Sequence, residues 1–242
     1  MKYFYFLSLL LILSCQPSKV KITAKEIINA AIISSGADKV VNSEITFKFR
    51  DKKYSAKRNK GRFTLARNFD SIRDVLSNSG FQRFVNETEI KVTDLMTSSY
   101  INSLNSVHYF SVLPYGLKDK AVHEKRLRSS TIKGKDYHKI EVTFSENGGG
   151  EDFEDVFIYW IGKEDFLVDY LAYSYHTNGG GKRFRALKER SIKNGIYFAN
   201  YDNYKPVDTS IPLIDLDKAF EAEQLQKISE IILEDIKVDI LD

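Results

Sequence analysis

Two glycine-rich segments have the composition of loops that bind phosphate. The sequence NGGG occurs at residues 147–150 and again at residues 178–181. A phosphate-binding loop places its glycines at the N-terminus of a helix, where free backbone N–H groups meet the anion. Here each segment lies between two strand-like segments, and its residue types are those of hairpin turns. The sequence therefore predicts two β-hairpins and no phosphate loop.

Charged and aromatic residues flank the two predicted hairpins. An acidic cluster follows the first, a basic cluster follows the second, and two tyrosines and a histidine precede the second: Glu151, Asp152, Glu154, Asp155, Lys182, Arg183, Arg185, Tyr173, Tyr175 and His176. Successive turns of an antiparallel meander alternate between its edges. These groups should therefore share one rim, with the acidic and basic strand starts about 10 Å apart.

This rim has three interpretations. Its opposite charges could fix the strand register, or the rim could be the polar mouth of a ligand cavity. It could also be a hydrolase or lyase site, with His176 as the base and Lys182 or Arg183 holding an anion.

Other catalytic and metal-binding patterns are absent from the sequence. It has no G-x-S-x-G, H-E-x-x-H or Walker motif and one cysteine. The histidines at positions 108, 123, 138 and 176 do not share metal-ligand spacing, and the acidic run matches no EF-hand. We therefore predict no catalytic residue, metal or cofactor. Lys and Arg are spread along a chain of net charge +3, which argues against nucleic-acid binding.

The single cysteine follows an apolar N-terminal run. Residues 3–13 form a run that is apolar except for Ser8 and is too short to cross a bilayer as a helix, so residues 1–14 are predicted to be a signal peptide. Ile12, Leu13 and Ser14 before Cys15 resemble a bacterial lipobox. The resemblance implies cleavage before Cys15 and acylation of this residue, for example with palmitate. The acyl chains would anchor the protein to a membrane.

The residues after the cysteine predict a short tether and one domain. Residues 15–22 would be the acylated cysteine and tether, and residues 23–242 a single α+β domain. Gln16 follows the cysteine where an aspartate would suggest retention at the inner membrane. We therefore expect a cell-envelope lipoprotein on the periplasmic face of the outer membrane.

Hydrophobic periodicity predicts three helices and two groups of antiparallel strands. A capping box at Thr23 and Glu26 begins the first helix, residues 94–110 form a central helix, and Asp215 begins a C-terminal helix reaching to Ile232. Residues 119–127 could form another short helix. Strand runs in the second half are apolar on both faces, so both faces should be covered. A curved, unclosed sheet with the helices covering its concave face would achieve this.

Three segments carry a family resemblance: DVLSNSGFQRF, NSVHYFSVLPYGL and YLAYSYHTNGGGKRFR. Together with the element order, they resemble an uncharacterised Bacteroidota lipoprotein family filed as a domain of unknown function. The layout is similar to LolA and LolB, which implies an unclosed half-barrel around an apolar cavity covered by helices. The family resemblance implies no activity.

The predicted function is binding of a hydrophobic or amphipathic ligand, a lipid or an acylated protein, in the concave face. Candidate ligand-binding residues come from the central helix, the meander and the rim: Met96, Tyr100, Leu104, His108, Trp160, Tyr173, Tyr175, His176 and Arg183. The alternatives are the rim hydrolase or lyase and a non-catalytic scaffold whose concavity is filled by its own side chains. The oligomeric state is left open.

Overall fold

Two antiparallel sheets and three α-helices form the fold of the described residues. The computed structural model describes residues 22–147, 153–176 and 179–242. The first sheet has the strand order β15-β1-β2-β3-β4-β5-β6. Its strands are β1 (Ser43–Phe49), β2 (Lys52–Asn59), β3 (Arg62–Phe69), β4 (Ile72–Ser77), β5 (Gly80–Val85), β6 (Thr88–Ile90) and β15 (Leu233–Ile240).

The second sheet is the larger of the two and contains the predicted meander. Its main order is β14-β13-β12-β11-β10-β9-β7, and β8 pairs with β9. The strands are β7 (Val122–Arg126), β8 (Ser130–Ile132), β9 (Lys135–Phe144), β10 (Val156–Gly162), β11 (Val168–Tyr175), β12 (Gly181–Lys193), β13 (Ile196–Pro206) and β14 (Leu225–Ile231). Because β9 to β13 pair in chain order, both NGGG segments connect antiparallel neighbours, as predicted. Residues 148–150 and Asn178 lie outside the described residues.

The two sheets meet where the chain passes from β14 to β15. One residue, Ile232, separates these strands, and β14 pairs with β13 while β15 pairs with β1. The backbone N–H of Leu233 donates to Asn200 Oδ1 at 2.8 Å, which ties this crossing to β13. The distal strands, β6 and β7, do not pair with each other. The predicted open, curved antiparallel α+β architecture is confirmed.

Helices α1 (Ala24–Ser34) and α2 (Asp94–Ser111) lie on what we call the inner face of the second sheet. The Thr23 and Glu26 capping box begins α1 as predicted, with a 2.7 Å bond from Thr23 N–H to Glu26 Oε2. Thr93 caps α2, which matches the predicted central helix within one residue. Buried Ile27 and Ala31 of α1 join the inner-face core.

Helix α3 (Leu216–Glu221) packs on the opposite, outer face of the second sheet, against Trp160 and Phe184. The predicted extension of this helix to Ile232 is wrong because residues 225–231 form strand β14. The apolar spacing there is compatible with both structures, and the free edge of β13 supplies the hydrogen bonds that favour a strand. Residues 119–127 likewise contain strand β7, paired with β9, instead of a helix.

Candidate functional site

A cavity of about 580 Å³ lies between α2 and the inner face of the second sheet. Its walls come from the β1–β2 turn, from α2 and from strands β9 to β15. Among the described residues, the lining contains eight aromatic and four aliphatic residues, together with six uncharged polar residues, three arginines and one aspartate. This mixture of apolar and polar groups, at a size typical of small-molecule sites, suits an amphipathic molecule.

Helix α2 divides its residues between the first sheet and the cavity. Leu104 and His108 are fully buried against the first sheet, where His108 Nε2 lies 3.1 Å from the carbonyl oxygen of Ala66. Tyr109 and Phe110 line the cavity. Because a helix turns by about 100° per residue, neighbouring positions can face two different partners.

Aromatic rings form the floor of the cavity. Phe157 of β10 and Tyr173 of β11 are stacked, with ring centroids 5.5 Å apart. Phe110 of α2 lies 5.6 Å from Tyr173, and Phe144 of β9 meets Phe157 edge-on at 5.7 Å. These rings come from four elements, so the pairing of strands with α2 creates an apolar surface that no single segment contains.

Arg185 of β12 places a cation in this aromatic floor. Its side chain is nine-tenths buried and its guanidinium carbon lies 3.9 Å from the ring centroid of Phe110. Nη2 donates to the hydroxyl of Tyr173 at 3.2 Å, and Nε has no hydrogen-bond partner among the described residues. Cation–π contact offsets part of the cost of burying this charge.

Tyrosine hydroxyls near the cavity are held in their neutral form. Burial raises the pKa of Tyr109 and of Tyr201 to about 12 each, and it also raises the pKa of Tyr159. The hydroxyls of Tyr109 and Tyr159 lie 3.3 Å apart. Because these groups stay protonated near neutral pH, they can donate hydrogen bonds but cannot act as phenolate bases.

The mouth of the cavity contains part of the predicted rim. Tyr175 and Arg183 line it, with the guanidinium carbon of Arg183 4.9 Å from the ring centroid of Tyr175. His176 Nδ1 lies 3.6 Å from Asp155 Oδ1, and two-thirds of the His176 side chain is exposed. Glu151 and Asp152, which belong to the predicted acidic cluster, lie outside the described residues.

Three of the nine predicted ligand-binding residues line the cavity: Tyr173, Tyr175 and Arg183. His176 lies beside them at the mouth through its contact with Asp155. Lys182 is one of the two basic residues, with Arg183, that the hydrolase or lyase alternative offers as the anion holder. It faces the outer side of β12 and donates to the carbonyl oxygen of Ile211 at 2.6 Å. Of the two basic residues in that alternative, Arg183 and not Lys182 therefore lies with His176 at the mouth of the cavity.

The other five predicted ligand residues lie away from the cavity. Leu104 and His108 are core residues between α2 and the first sheet, and Met96 is exposed in the first turn of α2. Tyr100 lies under the guanidinium of Arg83 at 3.7 Å from its ring centroid. Trp160 is buried on the outer face.

Trp160 belongs to a buried ionic contact that holds α3. Its Nε1 donates to Asp217 Oδ2 at 3.0 Å, and Lys139 Nζ lies 3.0 Å from the same oxygen. Lys139 also donates to the carbonyl oxygen of Ile214. The tryptophan therefore positions α3 and has no part in the cavity.

A second buried ionic cluster lies under α2 and was not predicted from the sequence. Asp74 of β4 contacts Arg67 at 2.6 Å and Arg83 at 3.3 Å, and Arg67 Nη1 donates to Ser103 of α2 at 2.7 Å. All three charged residues are buried. The signal in the sequence is a charged residue at an inward-facing position on each of three successive strands.

Arg185 and Phe110 line the cavity but are not among the nine predicted ligand-binding residues. Arg185 was placed in the basic cluster, and strand alternation puts it on the same face as Arg183. That alternation, together with Tyr173 opposite Arg183 in the register, would have identified it. Phe110 carries no comparable signal because both sides of α2 are partly apolar.

Neither a metal cluster nor a membrane-spanning helix occurs in the described part of the chain. Within residues 22–147, 153–176 and 179–242, no three His, Cys, Asp or Glu side chains come together as a metal site would require. The helices in these ranges are too short or too polar to cross a bilayer.

The sequence matches a family of unknown function, DUF6503, over residues 1–234. The chain belongs to DUF6503. The predicted membership of a family of unknown function is thus confirmed, and its occurrence in Bacteroidota stays a prediction. No curated protein matches the chain by sequence.

Solved structures with low sequence identity are similar to this DUF6503 chain. A DUF1329 family protein from Desulfovibrio piger ATCC 29098 has a TM-score of 0.50 at 9% identity, with 91% of this chain and 95% of that chain covered. A LolA superfamily protein from Nitrosomonas europaea has a TM-score of 0.49 at 12% identity, with 92% and 96% covered. The likeness to the DUF1329 protein is one of fold, and it does not imply an activity for DUF6503.

Proposed function

We propose that this DUF6503 chain is a lipid-anchored envelope protein that binds an amphipathic ligand in the cavity beneath α2. The observation that carries the proposal is the combination of an aromatic floor with buried and half-buried polar groups in one space of about 580 Å³. The acyl part of the ligand would lie on Phe157 and Tyr173, and its polar part would meet the arginines and α2. A scaffold with a filled concavity would not leave this space open.

Chain-length dependence of binding tests this proposal. Each methylene buried in an apolar site contributes about 0.8 kcal/mol, or roughly a fourfold gain in affinity. We expect affinity for a series of alkan-1-ols to rise by about this factor per carbon and then to level off when the cavity is full. The measurement is displacement of a fluorescent acyl probe, supported by native mass spectrometry of protein purified without detergent. Absence of probe uptake together with the absence of co-purified lipid would contradict the proposal.

A cavity-filling variant locates the binding. Ala199 of β13 lines the cavity, and Ala199→Trp should reduce probe uptake at least tenfold by occupying the space. Ala222, exposed after α3 on the outer face, provides the matched control, because Ala222→Trp adds the same side chain away from the cavity. Equal probe uptake by the two variants would show that binding occurs elsewhere.

The membrane anchor is a separate part of the proposal. We infer that residues 1–14 are removed and that Cys15 carries the acyl chains, with the domain from residue 23 held at the periplasmic face of the outer membrane. Residues 1–21 lie outside the described residues, so this rests on the lipobox-like sequence alone. Radiolabelled palmitate should be incorporated into the natural chain and not into Cys15→Ser. Labelling of both, or of neither, would refute the anchor while leaving the cavity proposal intact.

A further inference from the structure

Among the described residues, Arg185 differs from the other buried basic side chains because it has no carboxylate as an ion-pair partner. Within the part of the chain that the structure describes, four lysine or arginine residues are buried: Arg67, Arg83, Lys139 and Arg185. Asp74 pairs with both of the first two, and Asp217 pairs with Lys139. Arg185 has no acidic side chain within ion-pair distance among the same residues, and of the four it is the one that lines the cavity.

The surroundings of Arg185 compensate its charge only in part. Phe110 and Tyr173 present ring faces to the guanidinium, at 3.9 and 5.2 Å from their centroids, and the Tyr173 hydroxyl accepts one hydrogen bond. The Nε–H has no acceptor in the described residues. A buried cation without an anion carries a desolvation cost that an anionic ligand would remove.

We propose that the ligand is a single-chain amphiphile with an anionic head group and that Arg185 binds this head group. The inference rests on the proposed function, because it concerns the ligand of the same cavity. A guanidinium matches the paired oxygens of a carboxylate or a phosphate. The charges of the described lining agree, since Arg50, Arg183 and Arg185 are there with one described carboxylate, that of Asp155. The aromatic floor beside Arg185 holds the acyl chain.

Matched neutral and anionic probes test the inference. We would measure binding of dodecanoate, dodecyl phosphate and dodecan-1-ol to the full chain, below their micelle concentrations. The natural protein should prefer at least one anion over the alcohol by about tenfold to a hundredfold, the range for a hydrogen bond to a charged group. The tighter of the two anions identifies the head group. Because the pair is buried, the preference should persist from about 0.05 to about 0.5 M salt.

Variants of Arg185 assign the preference to this side chain. Arg185→Met keeps an unbranched chain without charge, and it should bind the anions and the alcohol with affinities within about threefold of each other. Arg185→Lys keeps the charge and should retain most of the preference. Lys182→Met is the matched control, because Lys182 is a basic residue of the same strand whose side chain faces the outer side of β12, and this variant should lower the preference less than about threefold.

The outcomes separate this inference from the proposed function. If the natural protein binds alcohol and anions equally well, the amphiphile proposal stands and the assignment of Arg185 is overturned. An equal loss of preference in Lys182→Met and Arg185→Met would also overturn it, because general charge and not the cavity guanidinium would then explain the effect. If none of the three probes binds, the proposed function itself fails. Circular dichroism and thermal unfolding of each variant establish that it is folded.

Discussion

Replacing Asp74 by asparagine tests whether the buried ionic cluster holds the first sheet together. Asp74 is fully buried on β4, and its carboxylate oxygens contact Arg67 at 2.6 Å and Arg83 at 3.3 Å. Asparagine has nearly the same shape but no charge. Asp74→Asn therefore leaves two buried guanidinium groups without their counterion, beneath a helix that Arg67 also contacts through Ser103.

The expected loss follows from the burial of all three groups. Removing one partner of a buried ion pair costs about 3 to 5 kcal/mol because the remaining charge stays desolvated. At a urea dependence of about 3 kcal/mol per molar, this lowers the unfolding midpoint by at least about 1 M. By the same reasoning, an apolar replacement of the whole cluster, which combines Arg67→Met, Asp74→Leu and Arg83→Met, should recover most of the lost stability.

Urea unfolding followed by two probes gives the measurement. Far-ultraviolet circular dichroism reports on both sheets, while the fluorescence of Trp160, the single tryptophan, reports on the second sheet. Coincident transitions would establish two-state unfolding. The control is Asp235→Asn, which breaks the 2.7 Å contact with Lys48 between side chains that are 64% and 44% exposed. This variant should lose much less stability than Asp74→Asn, because solvent screens an exposed ion pair. Equal losses in the two variants would refute the reasoning.

Two further predictions concern pH and backbone conformation. Burial lowers the pKa of His108 from 6.5 to about 3. Between pH 6.5 and pH 3 this imidazole is therefore protonated in the unfolded chain and neutral in the folded protein. Stability from this group, roughly 3 to 5 kcal/mol, is present above pH 6.5 and lost as pH falls towards 3. His108→Leu should flatten that decline in acid unfolding, and parallel curves would contradict this. Gly36 has a φ of 66°, and a side chain added there would clash with the carbonyl oxygen of Gly195. Gly61 has a φ of 81° but open space around it, so a side chain there adds backbone strain without a clash. Gly36→Ala should therefore destabilise the protein more than Gly61→Ala. Thermal unfolding compares the two variants, and equal shifts would exclude the close approach as the cause.

Local sequence patterns were sufficient for most of the elements. Hydrophobic periodicity, hairpin residues and the capping box at Thr23 predicted α1, α2 and the order of the meander, because these signals act between residues close in the chain. The predicted C-terminal helix was wrong over residues 225–231 because a contact with a distant segment decides the structure there. Its apolar spacing suits a helix, and only the available edge of β13 makes a strand more favourable.

The candidate site was predicted in part. As with the elements, the local patterns predicted some of its residues, and the packing of distant segments decided the others. Strand alternation alone puts Tyr173, Tyr175 and Arg183 on one face at one rim, and the structure brings these three to the cavity. Which side of α2 faces the cavity, and which face of the second sheet carries Trp160, depends on how the elements pack, so His108 and Trp160 lie elsewhere.

The sequence by itself determined most of the strands, the order of the meander from β9 to β13, the two hairpins and the cluster of basic residues on β12. Tertiary structure decided which charges in the described chain are paired. Arg67 and Arg83 meet Asp74 across neighbouring strands, whereas Arg185 meets aromatic rings from α2 and β11. The partners of a buried charge are set by contacts between segments distant in the chain, and no local pattern records them.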